Sequence, residues 1–556
     1  MNELETASEV VIPKIVTQVL SMRGMDTEEI FSFLYPNYDE HLHDPYLMLD
    51  MEKAVDRIGM AREGAERVAI YGDYDIDGIT ASAIMLESLG ALGIAAESYI
   101  PDRFEEGYGI NQEALGILKE RGFDLVISVD CGITSVKEAA WARDNGLDLI
   151  ITDHHSVPEI IPQAIAVINP NRLGDPYPFK ALAGVGVAFK LAQALQTRFG
   201  LPIAGQEKWL LDLVALGTVC DVVPLVGENR VLASYGLKVM RQTRRVGLRE
   251  LALIGRTTPE ELTSYHLGFV LGPRMNAAGR LEHAARSLEL MLTSDVLRAR
   301  EIAEELDYLN DQRKADQKKI FEEASLLADK YLDDPILLVS GVDWSHGVVG
   351  IVASKLVEKY HKPALVAQEM GESTKGSARS VAGFNLVEAL RSATGLFTKF
   401  GGHYFAAGYT LPTQNIAALR TALNTYAIKH PADPFSDDIL AEIELSDLAQ
   451  VEWDLLDAIS KLEPFGSGNA RPSLRICNLR LVEVRAIGGD KTHLRLTLAD
   501  QKQRRLAAIG FGLAKTYPQL KTGDYIDVVG HLNKNEYNGT ATIQLMVERI
   551  FYSDER

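Results

Sequence analysis

Three aspartates alternate with other residues in the sequence YGDYDIDG, at positions 71–78. Asp73, Asp75 and Asp77 can together offer carboxylate oxygens to a cation, and Gly78 lets the backbone turn sharply into a following helix. An EF-hand calcium loop spaces its acids similarly but needs a glutamate at the twelfth position, counted from the first aspartate. Ile84 occupies that position here, so calcium is disfavoured.

Further acids and imidazoles occur later in the chain. Asp130 begins the sequence DCG, Asp153, His154 and His155 are consecutive, and Asp221 ends the apolar pattern LLDLVALGTVCD. Such groups at one place would repel each other unless cations neutralise them. Oxygen ligands with one or two imidazoles suit Mn²⁺ or Mg²⁺ better than zinc, and a pair of such ions about 3.5–4 Å apart serves phosphoryl chemistry. The alternative, that each aspartate is only a turn former or helix cap, requires three unrelated strand ends to collect acids by chance.

Short apolar runs precede the first three acidic groups and predict the elements that position them. The predicted buried strands are Arg67–Tyr71, Asp124–Val129, Leu147–Thr152 and Ala164–Ile168, with helical patterns over 81–92 and 135–145 between them. Alternation of strands and helices predicts βαβ units around a parallel sheet, in which ligands bind beyond the carboxyl ends of the strands.

Composition limits the class of protein. The chain has 556 residues, which predicts three or four domains, and 46% apolar with 24% charged residues is a globular composition. Its formal charge of −20 means that any nucleic-acid site must be locally basic. Three dispersed cysteines support neither a disulfide framework nor a cysteine-based zinc site. With no membrane-spanning apolar run and no cationic signal peptide, we expect a cytoplasmic protein.

The second half of the chain predicts three further units. Residues 294–332 have a charged helical pattern without glycine or proline, which we interpret as a linker helix rather than one helix of a bundle. A second α/β unit follows over 336–430, and His430–Asp438 is a candidate linker. Five short strands then predict a small barrel such as an OB-fold, namely Leu474–Val484, Thr492–Leu498, Arg505–Gly510, Tyr525–Leu532 and Thr540–Val547.

This predicted barrel is basic. Between Arg471 and Lys515 there are ten basic and three acidic residues, a balance of 10 − 3 = +7. Single-strand nucleic-acid binding uses such a surface, while a protein-docking face is the alternative. Aromatic residues are few there, so electrostatic tracking of a strand is better supported than base stacking.

Several motifs together resemble one family. DYDIDG at 73–78, DCG at 130–132, DHH at 153–155 and GGH at 401–403 are similar to the DHH phosphoesterase superfamily. PDR at 101–103, GPRMNAAGR at 272–280, GVVGIVASKL at 347–356 and EPFGSGN at 463–469 resemble its bacterial single-strand-specific 5′→3′ exonucleases. The resemblance covers nearly the whole chain.

The resemblance implies an architecture and a set of functional residues. We expect an α/β fold with an N-terminal segment (1–50), a DHH domain with a parallel sheet (51–290), a linker helix (291–334), a DHH-associated α/β domain (335–430) and an OB-like β-barrel (431–556). The implied metal ligands are Asp75, Asp77, Asp130, His154 and Asp221, with catalytic roles for Asp73, His155 and His403. The implied phosphate-binding residues are Arg103, Arg274, Asn276, Arg280, Ser377 and Arg379, while the role of His346 stays open.

The resemblance also implies an activity and partners. The expected enzyme is a Mn²⁺- or Mg²⁺-dependent exonuclease with two ions, which degrades single-stranded DNA from its 5′ end to 5′-mononucleotides in recombination and repair. A single-strand-binding protein, a RecQ-type helicase and a monomeric state are implied as well. Two alternatives stay open: a phosphodiesterase for short oligonucleotides or cyclic dinucleotides, and a catalytically silent replication scaffold.

Overall fold

The structure is a computed structural model that describes residues 12–102, 106, 109–281, 284–431, 441–537 and 539–552, except for the side chains of Arg280, Leu281 and Tyr537. Arg103 and most of the predicted linker at 430–438 therefore lie outside the described residues. Within those ranges, no helix is both long and apolar enough to cross a membrane.

A parallel sheet forms the centre of the first lobe. Its strands are β1 (Val68–Gly72), β2 (Ala96–Tyr99), β3 (Leu125–Val129), β4 (Asp148–Thr152) and β5 (Ala166–Ile168). They are all parallel, in the order β2-β1-β3-β4-β5. The sequence predicted every strand except β2, whose residues AESY contain no apolar run and lie half exposed at the sheet edge.

Helices precede and follow the strands of this sheet, and all but the first two belong to the first lobe. They are α1 (Lys14–Met22), α2 (Thr27–Leu34), α3 (Met51–Gly64), α4 (Ile76–Ala91), α5 (Gln112–Glu120), α6 (Val136–Asp144), α7 (Gly184–Phe199), α8 (Leu211–Cys220), α9 (Gly227–Met240), α10 (Val246–Ile254), α11 (Ser264–His266), α12 (Gly272–Leu281) and α13 (Ala285–Leu292). A π-helical turn, Leu267–Leu271, joins α11 to α12. The direction of strand order changes between β1 and β3, which is where open α/β sheets bind ligands.

One long helix, α14 (Val296–Ala328), connects the lobes. Its Ile302 and Leu306 are buried in the core of the first lobe, whereas Ile320 and Ala324 are buried in the core of the second. A helix that contributes to two separate cores fixes the spacing between them, and the prediction of a linker helix is confirmed.

The second lobe is also α/β. Its elements are β6 (Leu337–Gly341), α15 (His346–Tyr360), β7 (Ala364–Met370), β8 (Ser373–Arg379), α16 (Leu386–Arg391), β9 (Lys399–Gly402), β10 (Ala406–Pro412) and α17 (Ile416–Lys429). The sheet order is β6-β7-β8-β10-β9, and only β6 and β7 are parallel.

A closed barrel ends the chain. It follows β11 (Ile443–Leu445) and α18 (Trp453–Ser460), and its strands are β12 (Leu474–Ile487), β13 (His493–Ala499), β14 (Arg505–Gly510), β15 (Tyr525–Tyr537) and β16 (Thr540–Tyr552). Pairing of β12 with β15 closes the order β12-β13-β14-β16-β15, so the predicted OB-like barrel is confirmed. Val19 and Leu20 of α1 are buried in the same core as the barrel, so the N-terminal helices pack against the C-terminal domain.

Candidate metal centre and substrate cleft

The first acidic group occupies the tight turn between β1 and α4. Asp75 is the N-cap of α4, where its side chain accepts hydrogen bonds from the amides of Asp77 and Gly78 at 2.9 and 3.2 Å. A Cβ on Gly78 would collide with the Asp73 backbone, which explains the glycine at this position. The turn therefore holds three carboxylates at the end of the strand.

Asp77 points from this turn toward the start of α7. Its two carboxylate oxygens accept hydrogen bonds from the amides of Gly184 (2.6 Å) and Val185 (2.8 Å). The positive end of the helix dipole thereby favours a negative charge at Asp77. These two amides were not identified from the sequence, because the contact spans more than a hundred residues.

Asp130 follows β3 and lies against the same helix start. It is buried and has a positive φ of 60°, a conformation that aspartate adopts more readily than most residues. A Cβ on Gly184 would collide with the Asp130 carboxylate. Glycine at position 184 therefore lets the Asp130 carboxylate approach that of Asp77.

The imidazole of His154 joins carboxylates from three parts of the chain. Its Nε2 lies 3.2 Å from Asp130 Oδ1, 3.6 Å from Asp221 Oδ2 and 3.7 Å from Asp77 Oδ2. A second group of oxygens, from Asp73, Asp75 and Asp130, lies within a 4.8 Å spread. The structure thus brings together all five predicted metal ligands and Asp73.

Burial and mutual repulsion shift the pKa values of these groups. Burial, followed by the charge of Asp75, raises the pKa of Asp77 to about 7. Burial and then the charge of Asp77 raise the pKa of Asp221 to about 9 and that of Asp130 well above its usual value. Burial and then His155 lower the pKa of His154 to about 4, so its imidazole is neutral at pH 7. Without a cation, ionisation of these clustered carboxylates therefore costs free energy.

Divalent cations fit the donor set. Among the described residues, Asp130 Oδ1, His154 Nε2 and Asp221 Oδ2 are buried atoms with no hydrogen-bond partner, although they lie close to one another. A neutral imidazole with carboxylate oxygens suits Mn²⁺ or Mg²⁺. Burial raises the pKa of the nearby Cys131 thiol, which argues against a thiolate ligand.

Asp153 positions the histidine pair. It is buried and accepts hydrogen bonds from the amides of Ile133, His154 and His155, and it lies 2.7 Å from His155 Nδ1. Burial alone would lower the pKa of His155, but this contact and the nearby carboxylates raise it. Asp153 was not among the site residues predicted from the sequence, although it begins the DHH motif itself.

The predicted phosphate-binding residues lie on different elements. Ser377 and Arg379 lie on β8, and the Ser377 Oγ and Arg379 guanidinium both approach Gly350 of α15. Arg274 is held in an ion pair with Asp307 of α14 at 2.9 Å, which favours a positioning role over direct phosphate contact.

The remaining predicted site residues are placed as follows. Asn276 accepts a hydrogen bond from the Ile76 amide at 3.2 Å and so steadies the acidic turn. His403 follows β9 with an exposed side chain, and His346 begins α15 beside a cleft that Lys375 also lines. Arg103 and the side chain of Arg280 lie outside the described residues.

The barrel is less basic in the fold than in the sequence. Five of its ten basic residues form ion pairs with carboxylates, and several of those carboxylates lie outside residues 471–515. The paired residues are Arg471, Arg475, Arg485, Lys502 and Arg504. The other five form no ion pair with a described residue: Arg480, Lys491, Arg495, Arg505 and Lys515. Arg480 donates a hydrogen bond to Gln503, whereas the other four are exposed and remain available to a polyanion.

Fold and site together define a DHH-type phosphoesterase. Family models match the DHH family N-terminal domain over residues 67–218 and the DHHA1 domain over 333–429. The RecJ OB domain model matches residues 442–549, the closed barrel.

Relatives identify the family within that class. The chain is 40% identical over 544 residues to the single-stranded-DNA-specific exonuclease RecJ of Bacillus subtilis, covering 97% of this chain and 68% of the relative. It is 35% identical to the protein of the same name from Haemophilus influenzae, with 92% of each covered. A crystal structure of Thermus thermophilus RecJ in complex with Mn²⁺ superposes with a TM-score of 0.84 at 29% identity, covering 97% of this chain and 76% of that one. This chain belongs to the RecJ family.

Proposed function

We propose that this protein is a Mn²⁺- or Mg²⁺-dependent exonuclease that degrades single-stranded DNA from the 5′ end to 5′-mononucleotides. The observation that carries the proposal is the convergence of Asp77, Asp130, His154 and Asp221 at the switch point of the sheet. Similarity over 97% and 92% of this chain to two proteins named single-stranded-DNA-specific exonuclease supports the substrate.

The chain's own residues have distinct tasks in this proposal. When bound, divalent ions supply an activated water and stabilise charge on the leaving oxygen. Asp75, Asp77, Asp130, His154 and Asp221 hold those ions, while Asp73 and His155 orient the surrounding groups. Asp153 fixes the ring of His155 through the 2.7 Å contact.

Residues of both lobes bind the 5′ end of the strand. Ser377 and Arg379, with Arg103 and Arg280, hold a 5′-terminal phosphate, because guanidinium groups bind phosphate in a bidentate manner. That contact places the first phosphodiester at the metal centre, and His403 donates a proton or hydrogen bond to its leaving oxygen.

The domains divide the work. The DHH domain (51–290) and the DHH-associated domain (335–430) form the two sides of the active-site cleft, and the barrel domain (431–556) tracks the strand's backbone. A single-strand-binding protein and a RecQ-type helicase are the proposed partners in recombination and repair, and the proposed state is a monomer.

Digestion of a 5′-phosphorylated DNA strand with Mn²⁺ tests this function. The strand is labelled internally and at its 3′ end, and it is offered single or as a blunt duplex, with an RNA strand of equal sequence in parallel. We expect mononucleotides from the 5′ side of the single DNA strand and an intact duplex. Di- and trinucleotides are offered in parallel. Their cleavage beside an intact long strand would indicate the short-oligonucleotide phosphodiesterase instead, and no turnover of any substrate would indicate a silent scaffold.

A further inference from the structure

Two helices of the first lobe connect the metal centre with one cavity elsewhere in that lobe. α4 carries Asp77 at its start, and α8 is followed directly by Asp221. Toward their other ends these helices carry Glu87 and Asp212, which both line a cavity of about 670 Å³. No proposed metal ligand is among the described residues that line this cavity. A side chain there can therefore influence the metal centre only from a distance.

The two helices are matched in length between these points. Glu87 lies ten positions after Asp77 in α4, and Asp221 lies nine positions after Asp212 in and just beyond α8. At about 1.5 Å per residue, these intervals span roughly 15 and 14 Å. The chain runs away from the metal centre in α4 and toward it in α8. Equal spans therefore bring Glu87 and Asp212 together at one end when Asp77 and Asp221 meet at the other.

The helices also touch between their ends. A Cβ on Gly217 of α8 would collide with the hydroxyl of Thr80 of α4, so glycine at this position lets the two helices approach closely. The Thr80 hydroxyl is itself fixed, because it donates to the Ile76 carbonyl at 2.7 Å. A close-packed contact of this kind has low compressibility and transmits strain. A shift of one helix at the cavity is therefore passed on toward the metal centre.

One guanidinium joins the two helices at the cavity. Arg245 Nε lies 3.1 Å from Asp212 Oδ1, and the terminal nitrogens of Arg245 donate to both carboxylate oxygens of Glu87, one of them at 3.1 Å. The Thr243 hydroxyl donates to the other oxygen of Asp212 at 2.7 Å. The side chains of Arg245 and Asp212 are only 12% and 2% exposed. A planar guanidinium holds carboxylates in fixed directions, which the ammonium of a lysine does not.

We propose that Arg245 is a positioning residue for the metal centre, because it clamps α4 to α8 at the cavity and thereby sets the spacing of Asp77 and Asp221. This inference rests on the proposed function, in which these two aspartates hold ions. At the metal centre, His154 Nε2 lies 3.7 Å from Asp77 Oδ2 and 3.6 Å from Asp221 Oδ2. Metal–ligand distances tolerate deviations of only about 0.2 Å, so a small shift between the helices weakens the binding of an ion.

Electron paramagnetic resonance of free Mn²⁺ tests the clamp without hydrolysis, because the loss of the free signal measures binding. Arg245→Lys keeps the charge but not the planar fork, so a change in affinity cannot be a long-range charge effect. Glu87→Gln weakens only the contact with α4. Each substitution should lower Mn²⁺ affinity about 2- to 30-fold, the range for residues that act on a site through packed elements. The double variant should bind no more weakly than the poorer single variant, because both substitutions break one connection.

Hydrolysis supplies a second readout of the same variants. Saturating Mn²⁺ should restore their rate of single-strand degradation, and the KM for the strand should stay unchanged, because the clamp does not touch substrate. A loss of rate that saturating Mn²⁺ does not relieve, with Mn²⁺ affinity unchanged, would overturn the positioning role.

Arg23 and Glu442 provide matched controls. They form a bidentate pair at 2.6 and 3.0 Å with side chains 17% and 22% exposed, but they join the end of α1 to the start of β11. Arg23→Lys and Glu442→Gln should leave Mn²⁺ affinity unchanged. Unchanged affinity in both clamp variants, or an equal loss in the control variants, would overturn the clamp. A wild type that binds Mn²⁺ but degrades no single strand would refute the proposed function alone, so the two failures are distinguishable.

Discussion

Replacement of Asp130 by asparagine should stabilise the metal-free protein while abolishing hydrolysis. Asparagine has the shape of aspartate and tolerates the positive φ at this position. Its amide can donate to the neutral imidazole of His154, since Asp130 Oδ1 lies 3.2 Å from Nε2. The substitution therefore removes a buried charge without opening a cavity.

The size of the effect follows from the separation of the carboxylates. Ligand oxygens of Asp73, Asp75 and Asp130 lie within 4.8 Å of one another. Two like charges at such a separation repel by about 3.5 kcal/mol at an effective dielectric constant of about 20. Protonation relieves part of this repulsion in the wild type, because burial raises the pKa of Asp130. We expect a net gain of about 1–3 kcal/mol in the free energy of unfolding.

Urea denaturation with EDTA and with Mn²⁺ measures this change. In EDTA the variant should unfold at higher urea than the wild type, whereas Mn²⁺ should stabilise only the wild type. Asp212→Asn is the matched control, because Asp212 is equally buried but paired with Arg245 at 3.1 Å. The same substitution there should destabilise the protein. A less stable Asp130→Asn variant in EDTA, or one with substantial Mn²⁺-dependent hydrolysis, would refute the reasoning.

Three further predictions concern the end pocket, the pH dependence and the histidine pair. Arg379→Ala should slow hydrolysis of 5′-phosphorylated strands by about 10-fold or more and affect 5′-hydroxyl strands less, as measured by initial rates. An equal loss of rate on both substrates would show that this residue does not bind the 5′-phosphate. Raised pKa values of about 7 for Asp77 and about 9 for Asp221 mean that the metal-free fold holds more protons than the unfolded chain, so its stability should fall as pH rises toward 9. Mn²⁺ affinity should rise over the same range, and calorimetry in two buffers should show proton release; a pH-independent affinity would contradict this. Asp153→Asn should lower kcat about 10- to 100-fold with little change in KM, because the substitution weakens the contact that orients His155. A change in KM alone would argue against that role.

Local patterns in the sequence predicted four of the five strands of the first sheet, because buried parallel strands are continuous apolar runs. β2 has no such run, and its four residues pair with β1 at the edge of the sheet. The packing of Val19 against the barrel core joins distant parts of the chain, and no local pattern indicates it.

In the candidate site, too, local features could be predicted and long-range contacts could not. Carboxylates after strand ends could be predicted, since parallel strands place their carboxyl ends at one edge. Contacts between residues distant in the sequence could not be predicted. Examples are the hydrogen bond from the Gly184 amide to Asp77 and the ion pair between Asp307 and Arg274.

Anomalous diffraction at the manganese edge, from crystals of the protein grown with Mn²⁺, tests the central claim most directly. The account predicts two peaks about 3.5–4 Å apart, enclosed by the carboxylates of Asp75, Asp77, Asp130 and Asp221 and by His154 Nε2. Strong peaks elsewhere with none among these side chains would contradict the claim that the strand ends of the first lobe build a metal-dependent phosphoesterase centre.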